Sequence, residues 1–575
     1  MTHQYSISLS NHARNFLKIE ARIPLNTGDT TLHIAAWRPG RYEEGNFAKN
    51  ISSLKAFSPD HQKLTVRKTE KNTWEIDTIG HTYLIVEYLY YAKDLTAGNT
   101  YVDSQMMLLN PVNALIYNPT HFQTQADITF HLPSTWRLGG AEGIANNQYS
   151  CKDLETLFDT PFIASPTLLE GSYKVEDTQF HVLHNQQDLL DIEKVMVDFK
   201  KFTESQLFAF GDIPTKKYYF ILLAVNLPYH HGVEHLNSTV IVLGPVSKWM
   251  TESYTELLSI ASHELYHVWN VKTIRPAEML PYRFQALNYA ETGYIYEGIT
   301  TFMGDYHLLR SKLVDAKKYL SILESQIQSH FDNPARFHTS VAEASVDTWV
   351  DGYVKGTPGR KVSIYNEGAL LALVIDTKIR ECTNNHFSLQ TVMNRLYVDF
   401  GMQNIGYKEE DFLRILHENS GEPFDAFFKD YIHGNQGFES ILSNALAYYG
   451  IEMNTQENPA YSVSKLGLKT QQIRGKIVVQ SIALGSPSEM GGLSENDVII
   501  GINQKEIQGD IEEWLRFFAS EEKNMLISRN GNLMNVILPE VQRTFNTNYK
   551  LMYSAEDLSP KIIRNRESFG WETAK

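Results

Sequence analysis

Two histidines and a glutamate stand at a spacing that can support metal chemistry. His263, Glu264 and His267 form an HELYH pattern within a stretch of helical periodicity. Residues four apart on a helix lie about 40° apart around its axis, so both imidazoles can bind one zinc ion at about 2.0–2.1 Å. Glu264 can then reach a metal-bound water and act as its general base. The alternative is a half-buried helix that carries two histidines and a solvated glutamate.

A third protein ligand is needed, because a catalytic zinc site leaves only its fourth position to water. Glu297 is the best candidate, in Tyr-Ile-Tyr-Glu-Gly-Ile-Thr-Thr-Phe at the start of a second apolar helix. A buried glutamate is costly unless it is paired or metal-bound, although a carboxylate near a helix N-terminus is also favoured by the helix dipole. Asp305 and Glu291 are candidate acceptors for the second N–H of the zinc-binding imidazoles.

The motif extends well beyond its five residues. The stretch 263–276 reads His-Glu-Leu-Tyr-His-Val-Trp-Asn-Val-Lys-Thr-Ile-Arg-Pro, and Ala-Trp-Arg-Pro-Gly-Arg-Tyr stands at 36–42. With Tyr-Glu-Gly-Ile-Thr-Thr-Phe from Tyr296, these segments closely resemble the glycyl aminopeptidase family of gluzincin zinc metallopeptidases with a PDZ domain. The resemblance covers nearly the whole chain. It implies one Zn²⁺ per chain, held by His263, His267 and Glu297.

The resemblance also implies roles for three further residues. The segment His231 to Ser238 is similar to the one in related aminopeptidases whose glutamate binds the substrate's free α-amino group, which suggests Gly232 and Glu234 as substrate-binding residues. Tyr365 precedes a helix in the manner of the family's oxyanion-binding tyrosine. By spacing alone, Glu234 would be read as an acid in a surface turn and Tyr365 as an ordinary packed tyrosine.

Composition separates the chain into regions. Short segments rich in β-branched and aromatic residues, separated by turn clusters, predict β structure up to about residue 165, and helical periodicity dominates 250–450. Leu466-Gly-Leu and Gly492-Leu-Ser-Glu-Asn-Asp resemble a PDZ domain of the bacterial protease type. Such a domain either binds a peptide C-terminus or packs on the catalytic domain as a fixed structural part. The prediction is a multidomain α+β protein: an N-terminal β-sandwich (1–168), a thermolysin-like, mostly helical catalytic domain (169–455), a PDZ domain (460–542) and a C-terminal tail (543–575).

Charge and composition limit the partners. A net charge of −15 argues against nucleic acid, which needs a basic surface. About 18 uninterrupted apolar residues occur nowhere, so no membrane span is expected. Two cysteines, Cys151 and Cys382, and no visible signal peptide favour the cytoplasm, or the periplasm if a leader was removed.

The leading functional hypothesis is a zinc aminopeptidase that removes small N-terminal residues such as Gly or Ala from peptides. Val233 and His235 depart from the Ala-Met-Glu-Asn form of related aminopeptidases. A zinc endopeptidase assisted by a PDZ domain that holds a peptide C-terminus therefore stays open. A non-catalytic peptide-binding scaffold is a third alternative.

Overall fold

The computed structural model describes residues 2–78, 80–185, 189–354, 356–554 and 559–571. The chain divides into two compact units, one comprising 1–319, 339–435 and 566–575, the other 320–338 and 436–565. Among the described residues, no helix combines the length and the apolar character that crossing a lipid bilayer requires.

The N-terminal region of the first unit is rich in β structure. Its strands are β1 (His3–Asn11), β2 (Phe16–Pro24), β3 (Thr31–His33), β4 (Ile51–Phe57), β5 (Lys63–Leu64), β6 (Val66–Glu70), β7 (Thr73–Ile76), β8 (Tyr83–Tyr91), β9 (Tyr101–Val102), β10 (Met107–Leu109), β11 (Ala126–His131), β12 (Arg137–Gly139), β13 (Gln148–Cys151) and β14 (Phe162–Ser165). Two short helices, α1 (Pro111–Ala114) and α2 (Leu154–Phe158), interrupt them among the described residues. The β-rich prediction is confirmed.

These strands form three sheets, counted over the described residues, in the orders β13-β11-β1-β2-β8-β4-β5, β12-β14-β10-β9 and β3-β7-β6. In β2 and β8 alternate side chains are buried, and Ile19 stands opposite Tyr88 in the antiparallel register. This period of two is expected for a strand with one face against the core. The buried side chains of the sheets join one hydrophobic core, which also includes Trp37 and Phe284.

The catalytic region begins with a mixed sheet of order β15-β16-β17-β19-β18. Its strands are β15 (Leu169–Val175), β16 (Thr178–His184), β17 (Lys217–Ala224), β18 (Tyr229–Glu234) and β19 (Ser238–Gly244). β16, β17 and β19 are parallel, whereas β18 runs antiparallel to β19 at the sheet edge. A strand at an edge leaves backbone N–H and C=O groups available for pairing.

Helices dominate the rest of this region. They are α3 (Ile192–Phe210), α4 (Tyr254–Tyr266), α5 (Thr300–Arg310), α6 (Ala316–Asp332), α7 (Val341–Asp351), α8 (Asn366–Cys382), α9 (Leu389–Leu396), α10 (Glu409–Ser420) and α11 (Asp425–Phe427). Shorter π-helical turns span Tyr294–Ile299, Tyr397–Gly401 and Phe428–Ile432. The first π turn leads directly into α5.

The second unit contains a separate sheet of order β21-β22-β23-β25-β26, with β24 paired to β23. The remaining elements of the chain are α12 (Glu439–Ala447), β20 (Ile451–Gln456), α13 (Tyr461–Leu466), β21 (Leu468–Ile473), β22 (Lys476–Ile482), α14 (Pro487–Met490), β23 (Val498–Ile502), β24 (Lys505–Glu506), α15 (Ile511–Phe517), β25 (Lys523–Arg529), β26 (Asn532–Leu538), β27 (Asn548–Tyr553) and α16 (Pro560–Phe569). This sheet and α15 enclose a hydrophobic core of their own, which includes Leu468, Ile502 and Leu515.

The C-terminal segment differs from the predicted tail. Residues 543–575 include β27, which pairs antiparallel with β20, and the helix α16. Phe569 and Trp571 are fully buried. The pairing also places 436–455, predicted to close the catalytic domain, in the second unit. The sequence around β27 did not indicate its pairing, because the partner strand β20 lies about 100 residues earlier. The helix α16 was not predicted because charged residues interrupt its apolar periodicity.

Candidate metal centre and active site

The HELYH helix is packed closely against its neighbour at the first histidine. A Cβ at Gly304 of α5 would lie 3.0 Å from the Cα of His263, and Ser262 Oγ donates a 2.8 Å hydrogen bond to the Gly304 carbonyl. Only a glycine allows this approach. The helical spacing brings the Nε2 atoms of His263 and His267 to 3.0 Å of each other, with the His267 side chain buried.

Glu297 reaches the same point from the π-helical turn before α5. Its Oε2 lies 3.5 Å from His263 Nε2 and 3.3 Å from His267 Nε2. Tetrahedral zinc with bonds of about 2.0–2.1 Å places its ligand atoms about 3.3–3.4 Å apart. The three atoms therefore have the separations that one zinc ion requires, and the two imidazoles and one carboxylate are a donor set that suits it.

A close helix crossing holds Glu297 and Tyr365 in the same site. Gly298 follows Glu297, and Gly368 lies three residues after Tyr365 on α8. A Cβ at Gly368 would lie 2.7 Å from the Cα of Gly298, so the two backbones are in contact. The positions of the two glycines thus fix the distance between the helical segments that carry the two functional side chains.

The imidazole of His267 is oriented by a neighbouring carbonyl. His267 Nδ1 donates a 2.6 Å hydrogen bond to the Asn270 carbonyl, which leaves the Nε2 lone pair directed at the metal position. The proposed carboxylate partners are wrong for this ring: Asp305 accepts from Ser259 Oγ at 2.6 Å, and Glu291 is exposed. The chain turns back sharply after Tyr266, which places the backbone carbonyl of Asn270 beside the His267 ring.

The electrostatics of Glu297 and His263 favour a bound cation. Burial would lower the pKa of His267, but the carboxylates around it raise this pKa to about 10, so the cluster favours a positive charge there. Burial alone would raise the pKa of Glu297, but the neighbouring His267 and His263 hold it at about 2. The carboxylate is therefore ionised at neutral pH. Burial lowers the pKa of His263 to about 4, which leaves its imidazole neutral and able to coordinate a metal.

Glu264 points into the space above the triad. Its side chain is buried, and its Oε2 has no hydrogen-bond partner among the described residues. Burial raises its pKa above the ordinary range, whereas a dication at the triad would favour its ionised form. A Cβ at Gly232, on the edge strand β18, would overlap the Glu264 carboxylate. Gly232 thus provides room for the Glu264 carboxylate.

The structure brings Glu234 to the same cluster. Ligand atoms of Glu234, Glu264 and His267 lie within 4.8 Å of one another, and Glu234 Oε1 has no hydrogen-bond partner in the described part of the chain. Burial raises the pKa of Glu234, and His267 acts against this shift. A Cβ at Gly40 would overlap the carboxylate, and Gly40 has a φ of +80° that favours glycine. Glu234 is therefore a buried acid and not the acid of a surface turn.

Tyr365 stands immediately before α8, as the sequence indicated. Its ring centroid lies 6.4 Å from that of His263, and its hydroxyl lies 2.9 Å from the hydroxyl of Tyr353. Burial raises its pKa well above the ordinary value, and the Glu297 carboxylate adds to this effect. The phenol is consequently protonated and can donate a hydrogen bond.

The sequence did not indicate the residues that hold the turn after Glu234 in place. Asp159 accepts hydrogen bonds from Lys272 Nζ at 2.7 Å, from His235 Nδ1 at 3.2 Å and from the Leu236 N–H at 2.8 Å. It thereby fixes the turn that follows Glu234. Lys272 belongs to the long motif at 263–276, which was the available signal, but Asp159 lies more than 100 residues earlier and carried none.

The chain joins a β-rich module to a helical one. His263, His267 and Glu297 are spaced for zinc and lie beside the buried Glu264 carboxylate. Together these features define a metallopeptidase. Two family models match the chain: "Peptidase M61 N-terminal domain" at residues 4–166 and "M61 glycyl aminopeptidase" at 256–371. The chain therefore carries the two domains that these models of the M61 glycyl aminopeptidase family describe. These matches support a metallopeptidase over the non-catalytic scaffold. No curated protein sequence matches the chain.

Solved structures are similar over most of the chain. The crystal structure of an aminopeptidase N family protein from Idiomarina loihiensis has 23% identity and a TM-score of 0.89, covering 98% of this chain and 99% of the other. It shows that the whole fold recurs. An M1 zinc metallopeptidase from Deinococcus radiodurans has 11% identity and a TM-score of 0.47, covering 76% of this chain and 94% of the other.

Proposed function

We propose that the protein is a zinc aminopeptidase that removes small N-terminal residues, Gly or Ala, from peptides. One zinc ion is held by His263, His267 and Glu297. The observation that carries the proposal is the Glu234 carboxylate, which lies buried in the same cluster as Glu264 and His267, with its Oε1 unpartnered among the described residues. A carboxylate at this distance from a hydrolytic centre can pair with an α-ammonium group and place the first peptide bond at the metal.

Each residue has a distinct part in the hydrolysis. Bound zinc would supply a Lewis acid and lower the pKa of its water. Glu264 accepts a proton from the attacking water and then passes it to the leaving amine. Tyr365 donates a hydrogen bond to the oxyanion of the tetrahedral intermediate. Glu234 binds the substrate's ammonium group and fixes which bond is cleaved.

The preference for a small first residue is supported by the description of the matching family as a glycyl aminopeptidase. The turn from the N-terminal region contributes to the same site, because Gly40 packs directly against the Glu234 carboxylate.

The experiment compares aminoacyl and N-acetylated aminoacyl reporters of Gly, Ala, Leu and Phe, with and without a chelator. Rapid release from free Gly and Ala reporters, lost after chelation and restored by zinc, is the expected result. Equal hydrolysis of acetylated peptides would favour the endopeptidase, because an endopeptidase needs no free amine. Hydrolysis that survives metal removal would contradict the proposal.

We also propose that residues 460–542 form a PDZ domain that binds a peptide C-terminus at β21. β21 lies at the edge of its sheet, where a peptide strand can be added. Gly467, with φ of +61°, separates α13 from β21. Its N–H donates to the Ser462 carbonyl, so this N–H is already paired within the chain. Fluorescence anisotropy with one labelled peptide, as free acid and as amide, tests this. Binding of the acid alone is expected, and equal binding of both would contradict it.

A further inference from the structure

Tyr353 connects the N-terminal region to the oxyanion-binding tyrosine. Its hydroxyl lies 2.9 Å from that of Tyr365, and the backbone N–H of Tyr42 lies near the Tyr353 oxygen and counteracts the rise that burial causes in the pKa of Tyr353. Tyr42 ends the Trp-Arg-Pro-Gly-Arg-Tyr segment, which the family resemblance singled out and the proposed mechanism leaves without a role. The N-terminal region thus lies beside a hydrogen-bonded pair of tyrosines.

The same segment holds the Tyr353 ring and backbone in place. The Arg41 guanidinium lies over the ring, with its Cζ 5.1 Å from the centroid, and it forms an ion pair with Glu43. Glu43 Oε2 accepts a 3.4 Å hydrogen bond from the Tyr353 N–H. Gly352 has a φ of +56°, and a Cβ there would overlap the Glu43 carboxylate. The loop that carries Tyr353 is thus fixed by contacts with Arg41 and Glu43.

The direction of the hydrogen bonds follows from what Tyr365 must do. To stabilise an oxyanion, Tyr365 has to direct its own proton at the substrate, so its oxygen must accept from Tyr353. The backbone N–H of Tyr42 lies near the Tyr353 oxygen, which favours a Tyr353 proton that is directed at Tyr365. In such a chain each hydrogen bond polarises the next, which strengthens the last donor.

We propose that Tyr353 is a positioning residue for the reaction: the relay of a hydrogen bond from the Tyr353 hydroxyl to the Tyr365 oxygen aims the Tyr365 phenol at the oxyanion. The inference rests on the proposed role of Tyr365. Tyr353 does not itself contact the reacting atoms. Its loss should therefore lower kcat through Tyr365 and leave substrate binding unchanged.

The experiment is a double-mutant cycle with Tyr353→Phe and Tyr365→Phe in the full zinc-loaded protein. Tyr365→Phe should lower kcat by about 10²–10³. Tyr353→Phe keeps the ring beneath Arg41 and should lower kcat about tenfold, the effect of one lost neutral hydrogen bond, with KM unchanged. The double variant should be no slower than Tyr365→Phe, because the relay acts only through that phenol.

Tyr289→Phe is the matched control. Tyr289 is half-exposed and its ring lies 5.6 Å from that of Trp349, outside the relay, so this variant should keep full activity. A tetrahedral phosphinic dipeptide analogue should bind Tyr353→Phe about tenfold more weakly, as kcat does. Unchanged kcat in Tyr353→Phe, or a further tenfold loss in the double variant, would overturn the relay alone. Full activity in Tyr365→Phe would overturn the proposed role of Tyr365 and the relay with it.

Discussion

Gly232→Ala tests whether the edge strand holds Glu264 where the reaction needs it. A Cβ built on Gly232 would stand 2.6 Å from Cδ and 2.9 Å from Cγ of Glu264. Carbon atoms that are not bonded approach to about 3.5–4.0 Å. The carboxylate would therefore have to move by about 1 Å, because the strand backbone is fixed by its pairing with β19.

A displacement of this size has a large kinetic effect and a small effect on the metal. Misplacing a catalytic group by about 1 Å costs about 10²-fold in rate. The three atoms nearest to a Cβ at Gly232 all belong to Glu264 and none to a triad residue, so zinc binding should persist. The expected phenotype of Gly232→Ala is therefore a roughly hundredfold loss of kcat with zinc retained.

The assay measures kcat with a glycyl reporter beside the zinc content of the purified variant. Gly356→Ala is the control, because a Cβ there makes only ordinary contacts with Asp351, at 3.5 and 3.7 Å. It should behave as the parent protein. A Gly232→Ala variant with undiminished kcat would refute the argument that this glycine positions Glu264. Loss of zinc would show that the strand supports the triad instead.

Three further changes have definite expected outcomes. Glu264→Gln should retain zinc and lower kcat by about 10²–10⁴, measured as steady-state turnover, and full activity would remove Glu264 as the base. Glu234→Gln should raise KM for free-amine substrates by roughly 10–200-fold, since a hydrogen bond to a charged group is lost; an unchanged KM would exclude it as the ammonium site. Asp159→Asn should lower the free energy of unfolding by about 3 kcal/mol at pH 7, measured by denaturant titration, because it leaves the buried ammonium of Lys272 unpaired. Burial would raise the pKa of Asp159, but Lys272 and His235 hold it below its ordinary value. The difference in unfolding free energy between the parent protein and Asp159→Asn should therefore narrow as the pH falls below about 4, where Asp159 becomes protonated. A difference that is constant with pH would contradict the ion pair.

The metal triad could be predicted because its geometry is local. The four-residue spacing of His263 and His267 determines their common helix face, and Glu297 was identifiable as an acid at the start of an apolar helix. The short segments rich in β-branched and aromatic residues likewise predicted the β-rich N-terminal region correctly. In these places the residues within a single helix or strand are enough to predict the structure.

The surroundings of the triad could not be predicted because they depend on contacts between distant segments. Asp159 supports the turn after Glu234 from more than 70 residues away, and Tyr353 meets Tyr42 across about 310 residues. The acceptor for His267 was assigned to a carboxylate, whereas a sharp turn supplies the carbonyl of Asn270. No periodicity marks such contacts, since each arises only when the elements pack.

The most direct measurement is a zinc titration of the metal-free protein, with hydrolysis of a free glycyl reporter recorded at each addition. Activity should rise in proportion to added zinc and level off at one equivalent per chain, because one triad holds one ion. The Glu297→Ala protein should need far more zinc to reach any turnover. Full activity before zinc is added, or the same titration curve for both proteins, would contradict the assignment of His263, His267 and Glu297 as the zinc site.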